Sequence, residues 1–243
     1  MKLSGRVALV TGAGRRVGQA IALALGERGM RVAVHYHGSG DGANETVAKL
    51  GRGGGESRTF KADLSQTGSH GPLIDQVVAA YGALDVLVNS AAVMVRTPFG
   101  EVTAEQWDSM MAVNLRAPFF LAQAAAAHLR KASGVIINIA DLAAFESWPA
   151  YVPHAISKSG VVHMTKSLAR VLAPEVRVNA VAPGTVLLPE HWSTQADERL
   201  RQTTPLGRTG SPADVSATVI FLLESDYITG ETIIVDGGRH IRT

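Results

Sequence analysis

The feature that most restricts what this chain can become is a rhythm. Short apolar runs rich in β-branched residues recur at 7–10, 32–34, 84–88, 135–139, 176–181 and 232–235, and helical patterns fill the intervals. Gly, Asn or Asp bound these runs, and no polar residue alternates within most of them, which suits strands buried on both faces. A more polar run at 57–61 brings the strand total to about seven. Strands that alternate with helices build βαβ units, hence a mostly parallel sheet. Right-handed crossovers then place helices on both faces. The expected architecture is α/β, a single doubly wound domain spanning 1–243.

Local signals mark the helices. Ile21, Ala24 and Leu25 share a face within 17–28, and Gly29 follows as a C-terminal stop. Thr103 followed by Gln106 is a capping-box pattern. Long Ala-rich or Leu/Val-rich helices are expected at 117–129 and 157–172, and residues 51–55 read as a loop before the third strand. The segment 185–205 holds Pro189, Trp192 and Pro205 and has no clean strand pattern. With a polar helix through 193–201, it is expected to be a substrate lid.

Composition narrows the function classes. The chain is 46% hydrophobic and 18% charged, with a net charge of only +2 and scattered basic residues. A nucleic-acid binder shows a clustered basic stripe with aromatic platforms, so none is expected as a partner. No run approaches the roughly 20 apolar residues of a membrane span. The apolar run after Met1 to Arg6 is too short for a secretory core, which needs about 7–15 residues. There is no cysteine, consistent with a reducing, cytoplasmic setting.

The first strand runs directly into Thr11-Gly12-Ala13-Gly14-Arg15-Arg16-Val17-Gly18, and a helix follows. Glycines let backbone amides approach a phosphate, and the helix N-terminus adds partial positive charge. The G-x-G-x-x-G spacing does not fit, because the third glycine falls one place late, at Gly18. The end of the second strand indicates which dinucleotide is held. An NAD site places an acid there to hold the ribose 2′-hydroxyl, and this chain has His35-Tyr36-His37-Gly38-Ser39 instead. With Arg15 and Arg16 beside it, this acid-free pocket favours NADP(H) on charge grounds. His35 and His37 lack companion ligands at metal spacing, so no metal site is expected.

These residues resemble the short-chain dehydrogenase/reductase family along nearly the whole chain. The family loop T-G-x-x-x-G-x-G is matched from Thr11 to Gly18, with Arg16 in the place of the middle glycine. Asp63-Leu64 matches the adenine contact, Asn89-Ser90-Ala91-Ala92 the N-N-A-G motif, and Asn114 the helix asparagine of the catalytic tetrad. Pro183-Gly184-Thr185, with Val186, matches the segment that embraces the nicotinamide. Tyr227 to Gly230 and Val235 to Gly238 fit as well. The resemblance implies a Rossmann-type sheet, a small-molecule substrate, and homotetramers or homodimers that pair the helices at 104–129 and 157–172. Within the family the chain resembles the pteridine reductase branch, which carries the loop arginine, an H-Y-H-R-S stretch and an active-site Asp, here Asp141. Gly38, Met94 and Ala92 depart from that branch's arginine, aromatic and serine.

The family's proton donor is the Tyr of Y-x-x-x-K. Lys158 fits the lysine, but His154 stands four places before it, thirteen residues after Asp141 as the usual spacing requires. Tyr151 is a weaker candidate ahead of the helix. Imidazolium is a competent general acid near neutral pH. Asp141, His154, Lys158 and Asn114 are therefore the expected catalytic set. Met94, Trp148, Leu187 and Trp192 are candidates for an apolar substrate pocket. The expected activity is NADPH-dependent reduction of a carbonyl or conjugated imine, pteridine-reductase-like first and 3-oxoacyl or general ketone reductase second. A catalytically weak NADP(H)-binding sensor is the rival.

Overall fold

The structure is a computed structural model that describes residues 1–52, 56–186 and 194–241. Strands β1 (Val7–Val10), β2 (Arg31–Tyr36), β3 (Ser57–Lys61), β4 (Val86–Asn89), β5 (Val135–Ile139), β6 (Arg177–Pro183) and β7 (Thr232–Val235) make one sheet in the order β3-β2-β1-β4-β5-β6-β7. Every pairing is parallel. The helices are α1 (Arg16–Glu27), α2 (Gly40–Arg52), α3 (His70–Tyr81), α4 (Ala104–Met111), α5 (Ala117–Ala132), α6 (Val152–Leu172), α7 (Thr194–Thr203) and α8 (Pro212–Glu224).

Successive strand residues point to opposite faces, so each strand serves two cores. Ala8, Val10, Val32, Val34, Val86 and Val88 meet Ile21 and Leu25 of α1 and Val215 and Val219 of α8. Val7, Leu9, Leu87 and Ile136 meet Leu73 and Val77 of α3 and Leu121 and Leu129 of α5. That division explains the unbroken apolar runs. It also fixes the switch point: β2 and β3 lie to one side of β1 and β4 to the other. The crevice therefore opens above the carboxyl ends of β1 and β4, where such sheets hold ligands.

The capping signals are realised. Thr103 and Gln106 form a full capping box at α4, and Gly29 takes φ +77° after α1. Two boundaries differ from expectation. Residues 51 and 52 belong to α2 rather than to a loop. Residues 53–55 lie outside the described set. Helix α6 begins at Val152, five residues early, because Pro153 sits in its first turn, where a missing N–H costs nothing. That early start places His154 on a helix. Between α4 and α5 the chain widens into a π-helical turn, Ala112–Arg116, a local irregularity often found at functional sites.

Candidate active site

The crevice floor is tied together by one hydroxyl. Thr11 Oγ1 accepts the Ser90 and Ala91 amides at 2.9 and 3.0 Å. Gly12, at φ +66°, lies so close to that segment that a Cβ would sit 2.9 Å from Ala91 Cα. The first-turn amides of α1 have no intrahelical acceptor, so they face the crevice as an anion site. Arg15 is exposed in extended backbone, and exposed Arg16 holds φ +55° without being glycine. A left-handed non-glycine residue costs on the order of 1–2 kcal/mol and persists where the surroundings or function demand it.

The second wall of the crevice is unevenly suited to a ligand. His37 and Ser39 remain accessible, and His37 Nε2 is 3.9 Å from Asp63 Oδ2. Hydrogen bonds from Ser65 hold the Asp63 carboxyl below its ordinary pKa. His35 corrects the expectation of a direct cofactor contact. It is buried, Nδ1 accepts the Gly12 amide at 3.1 Å, and Nε2 faces the Ala62 carbonyl at 3.1 Å. Burial pushes its pKa down to about 4. His35 is thus a neutral strut behind the loop. Leu64 likewise buries its side chain in the core, leaving only its backbone for a ligand. Val186 also packs into the core, and the Gly184 amide bonds the Val235 carbonyl at 2.9 Å.

At the carboxyl end of β4, Asn89 Nδ2 donates to Asn138 Oδ1 at 2.8 Å, while Asn89 Oδ1 is buried with no partner. An orphaned acceptor here, beside the N-terminus of α1 and glycines packed too tightly for a Cβ, fits a bound dinucleotide. Buried acceptors are normally satisfied.

The residues expected to be catalytic lie across β5. Asp141 starts the short turn Leu142–Ala144, its Oδ1 accepting the Ala143 amide at 2.8 Å. Its Oδ2 is 3.7 Å from Nε2 of His154, a ring only 2% exposed. One turn along α6, Lys158 Nζ donates to the Ile139 carbonyl at 2.8 Å. Burial pushes its pKa down to about 8, against the opposing pull of Asp141. Asn114, in the π-turn, exchanges two hydrogen bonds with Val93, at 2.8 and 2.9 Å, and donates to Ser157 Oγ at 3.1 Å. All four expected catalytic residues therefore converge from three separate elements.

The family model described as enoyl-(acyl carrier protein) reductase matches residues 12–240. The 3β-hydroxysteroid dehydrogenase 1 of Eggerthella lenta is 36% identical over 97% of this chain and 94% of its own length. The 3-oxoacyl-[acyl-carrier-protein] reductase FabG of Staphylococcus aureus is 36% identical over 99% of this chain and all of its own. A crystal structure from Sinorhizobium meliloti 1021, described as a candidate short-chain alcohol dehydrogenase, superposes with a TM-score of 0.92. It is 35% identical and covers 99% of this chain and 98% of its own.

This chain belongs to the short-chain dehydrogenase/reductase family. Membership makes it a nicotinamide-coenzyme-dependent oxidoreductase on a Rossmann-like sheet.

Other expected site residues of this short-chain dehydrogenase/reductase fall at the rim or beyond it. Tyr151 ends the loop ahead of α6, where its ring packs edge-on against Trp148 at 6.3 Å. Its backbone bridges Thr97, which holds the Met94–Thr97 and Trp148–Tyr151 loops side by side. Met94 is exposed there. Leu187, Pro189 and Trp192 lie outside the described residues, and the polar helix of the 185–205 segment is present as α7. Among the described residues there is no metal-binding cluster, and no helix is long and apolar enough to cross a membrane.

Three participants escaped the sequence reading. The Val93 and Ile139 contributions are backbone carbonyls, which carry no residue-type signature. Ser157 stood next to Lys158, and only its hydroxyl character hinted at its link to Asn114.

Proposed function

We propose that this protein reduces the ketone of a small, apolar-bodied substrate with NADPH, His154 supplying the proton. The observation that carries the reading is the buried Nε2 of His154. It has no hydrogen-bond partner and stands opposite the Asp141 carboxylate. A polar atom isolated in this way is poised to exchange a proton. A bound nicotinamide coenzyme supplies the reducing equivalent. The chain's own part is to hold it: α1 amides and Asn89 toward the dinucleotide, and Arg15, Arg16, His37 and Ser39 toward a 2′-phosphate. Lys158 has ammonium N–H groups beyond the one spent on Ile139, and these would take the nicotinamide ribose hydroxyls. Asp141 presents its Oδ2 to His154 Nε2 at 3.7 Å. His154 then passes its proton from Nε2 to the substrate oxygen as that oxygen gains negative charge.

The relatives' names, a 3-oxoacyl-[acyl-carrier-protein] reductase and a 3β-hydroxysteroid dehydrogenase, both describe interconversion of a ketone and an alcohol, and this supports ketone reduction over the pteridine reading. Arg16 and Asp141 are the residues that favour a pterin. Helix α7, within the 185–205 segment, would close over the substrate as a lid within the one domain, residues 1–243. The protein would work in the cytoplasm without a nucleic-acid partner. Helix α5 and the π-turn carry exposed Phe119 and Phe120 and half-buried Leu115 around an apolar hollow of about 440 Å³, the face we assign to homodimer or homotetramer formation.

NADPH oxidation with an acetoacetyl thioester, a steroid ketone and a dihydropterin tests the reading, with wild type and His154→Ala compared. Ketone turnover that falls about 10²-fold or more in the variant, with NADPH affinity unchanged by calorimetry, is the expected result. Turnover of the dihydropterin alone would move the assignment to the pteridine branch. Tight NADPH binding with no turnover would make the protein a coenzyme sensor. Equal rates with and without His154 would remove it from the chemistry.

A further inference from the structure

A neutral histidine presents a proton on one ring nitrogen and a lone pair on the other. We infer that Val93, Asn114 and Ser157 hold neutral His154 in its Nδ1–H tautomer, so that protons enter and leave only through Nε2, and that Ser157 is a positioning residue for this purpose. The inference rests on the reading of His154 as proton donor.

The reasoning is a count of hydrogens. The Asn114 amide offers two N–H donors and one oxygen. Its Oδ1 accepts the Val93 amide at 2.8 Å, which settles which end of the side chain is oxygen. Its two N–H groups go to the Val93 carbonyl at 2.9 Å and to Ser157 Oγ at 3.1 Å. The Ser157 hydroxyl gives its own hydrogen to the His154 carbonyl at 2.7 Å, so its oxygen is left to accept. Both Asn114 hydrogens are then committed. None remains for His154 Nδ1, which lies 3.5 Å from Asn114 Nδ2. The other neighbour of Nδ1 is the Val93 carbonyl at 3.3 Å, which can only accept. Both ring nitrogens face acceptors, but only Nδ1 is within hydrogen-bond reach of one, the Val93 carbonyl, while Nε2 makes no hydrogen bond, so the single hydrogen of the neutral ring belongs on Nδ1. The lone pair of the neutral ring therefore falls on Nε2, the atom that faces Asp141 Oδ2.

The consequence is a one-ended acid. In the charged ring both nitrogens bear hydrogen. The Nε2–H bond breaks as the substrate O–H bond forms, and Nδ1–H to Val93 is undisturbed. The opposite tautomer would direct reprotonation to Nδ1, enclosed between Val93 and Asn114 and cut off from substrate. Ser157 prevents this by occupying the one Asn114 hydrogen that could otherwise turn to Nδ1.

Nitrogen-15 NMR of ring-labelled protein tests the assignment, with the His154 signals identified by their loss in His154→Ala. At a pH where the ring is neutral, Nδ1 is expected to be pyrrole-like and Nε2 pyridine-like. The reverse pattern, or an even mixture, overturns the inference. Ser157→Ala frees an Asn114 N–H and is expected to move the ring toward the Nε2–H tautomer. Its kcat should fall about tenfold or more, a share of the roughly 10²–10⁴-fold that positioned acid–base groups contribute. Its ketone KM and NADPH affinity should stay within about twofold, because Ser157 acts through the ring rather than on either ligand. A folded Ser157→Ala protein with the wild-type tautomer and kcat removes the positioning role. Should that variant fail to fold, the wild-type spectrum alone decides the tautomer. The spectrum needs no turnover, so a wrong tautomer in an active enzyme sinks only this inference. Turnover that survives His154→Ala sinks only the functional reading.

Discussion

Nε2 of His154 lies 3.7 Å from Oδ2 of Asp141, in a setting where the ring is buried and the carboxylate is partly open. Tyrosine is a far weaker acid than imidazolium. If His154 gives the proton, His154→Tyr retains a donor on the same turn of α6 and moves the alkaline limb of the kcat profile upward. A profile identical to wild type would show that the donor lies elsewhere.

Arg16 is one of the residues proposed to meet a 2′-phosphate. Arg16→Gly accepts the φ of +55° without the backbone penalty and leaves the fold intact. NADPH affinity is expected to fall about tenfold, the scale of one lost charge-assisted contact, while NADH affinity stays within about twofold. Calorimetry with both coenzymes reads the contrast directly, and equal losses would contradict it.

His35 makes an acid-stability prediction. Burial lowers its pKa from the ordinary 6.5 to about 4 in the folded chain. Between those values the unfolded chain binds more protons, so stability falls as pH drops from 6.5 to 4. The loss is on the order of 2–3 kcal/mol. His35→Gln keeps a donor and an acceptor without a titrating ring, and its urea-unfolding free energy should decline less over that window. A parallel decline would mean that other groups govern acid unfolding.

Lys158 gives the complementary result in base. Its pKa is lowered from 10.5 to about 8. Across that window the unfolded chain keeps the proton that the folded chain gives up, so stability rises with pH. The cost of the buried ammonium is complete below pH 8 and gone above 10.5. Lys158→Met is therefore expected to be more stable than wild type by about 1–2 kcal/mol below pH 8, after allowing about 1 kcal/mol for the orphaned Ile139 carbonyl. That advantage should vanish toward pH 10.5, as chemical denaturation at three pH values would reveal.

Much of this fold was written in apolar runs that leave no room for polar alternation, and the sheet's two-sided burial is their physical cause. The capping box at Thr103 and the stop at Gly29 were legible because each depends on one residue type at one spacing. The early start of α6 was not, since Pro153 is ambiguous between breaking a helix and opening one. At the site, Asp141, His154 and Lys158 were picked out by their spacing within the family's motifs, and Asn114 by the family resemblance. His35 was misplaced because a histidine at a strand end looks alike whether it faces a ligand or props a loop. Only its two backbone partners, at Gly12 and Ala62, distinguish the cases. Val93 was invisible because what it contributes is shared by every residue.

The hydroxyl of Thr11 binds the amides of Ser90 and Ala91 at once, so the two banks of the crevice cannot drift apart independently. A coenzyme arriving there meets a bed already shaped, and the ordering cost of association falls on its own rotatable bonds rather than on the chain. Loosening that single clasp should therefore be felt first as faster coenzyme escape, well before any loss of the sheet beneath it.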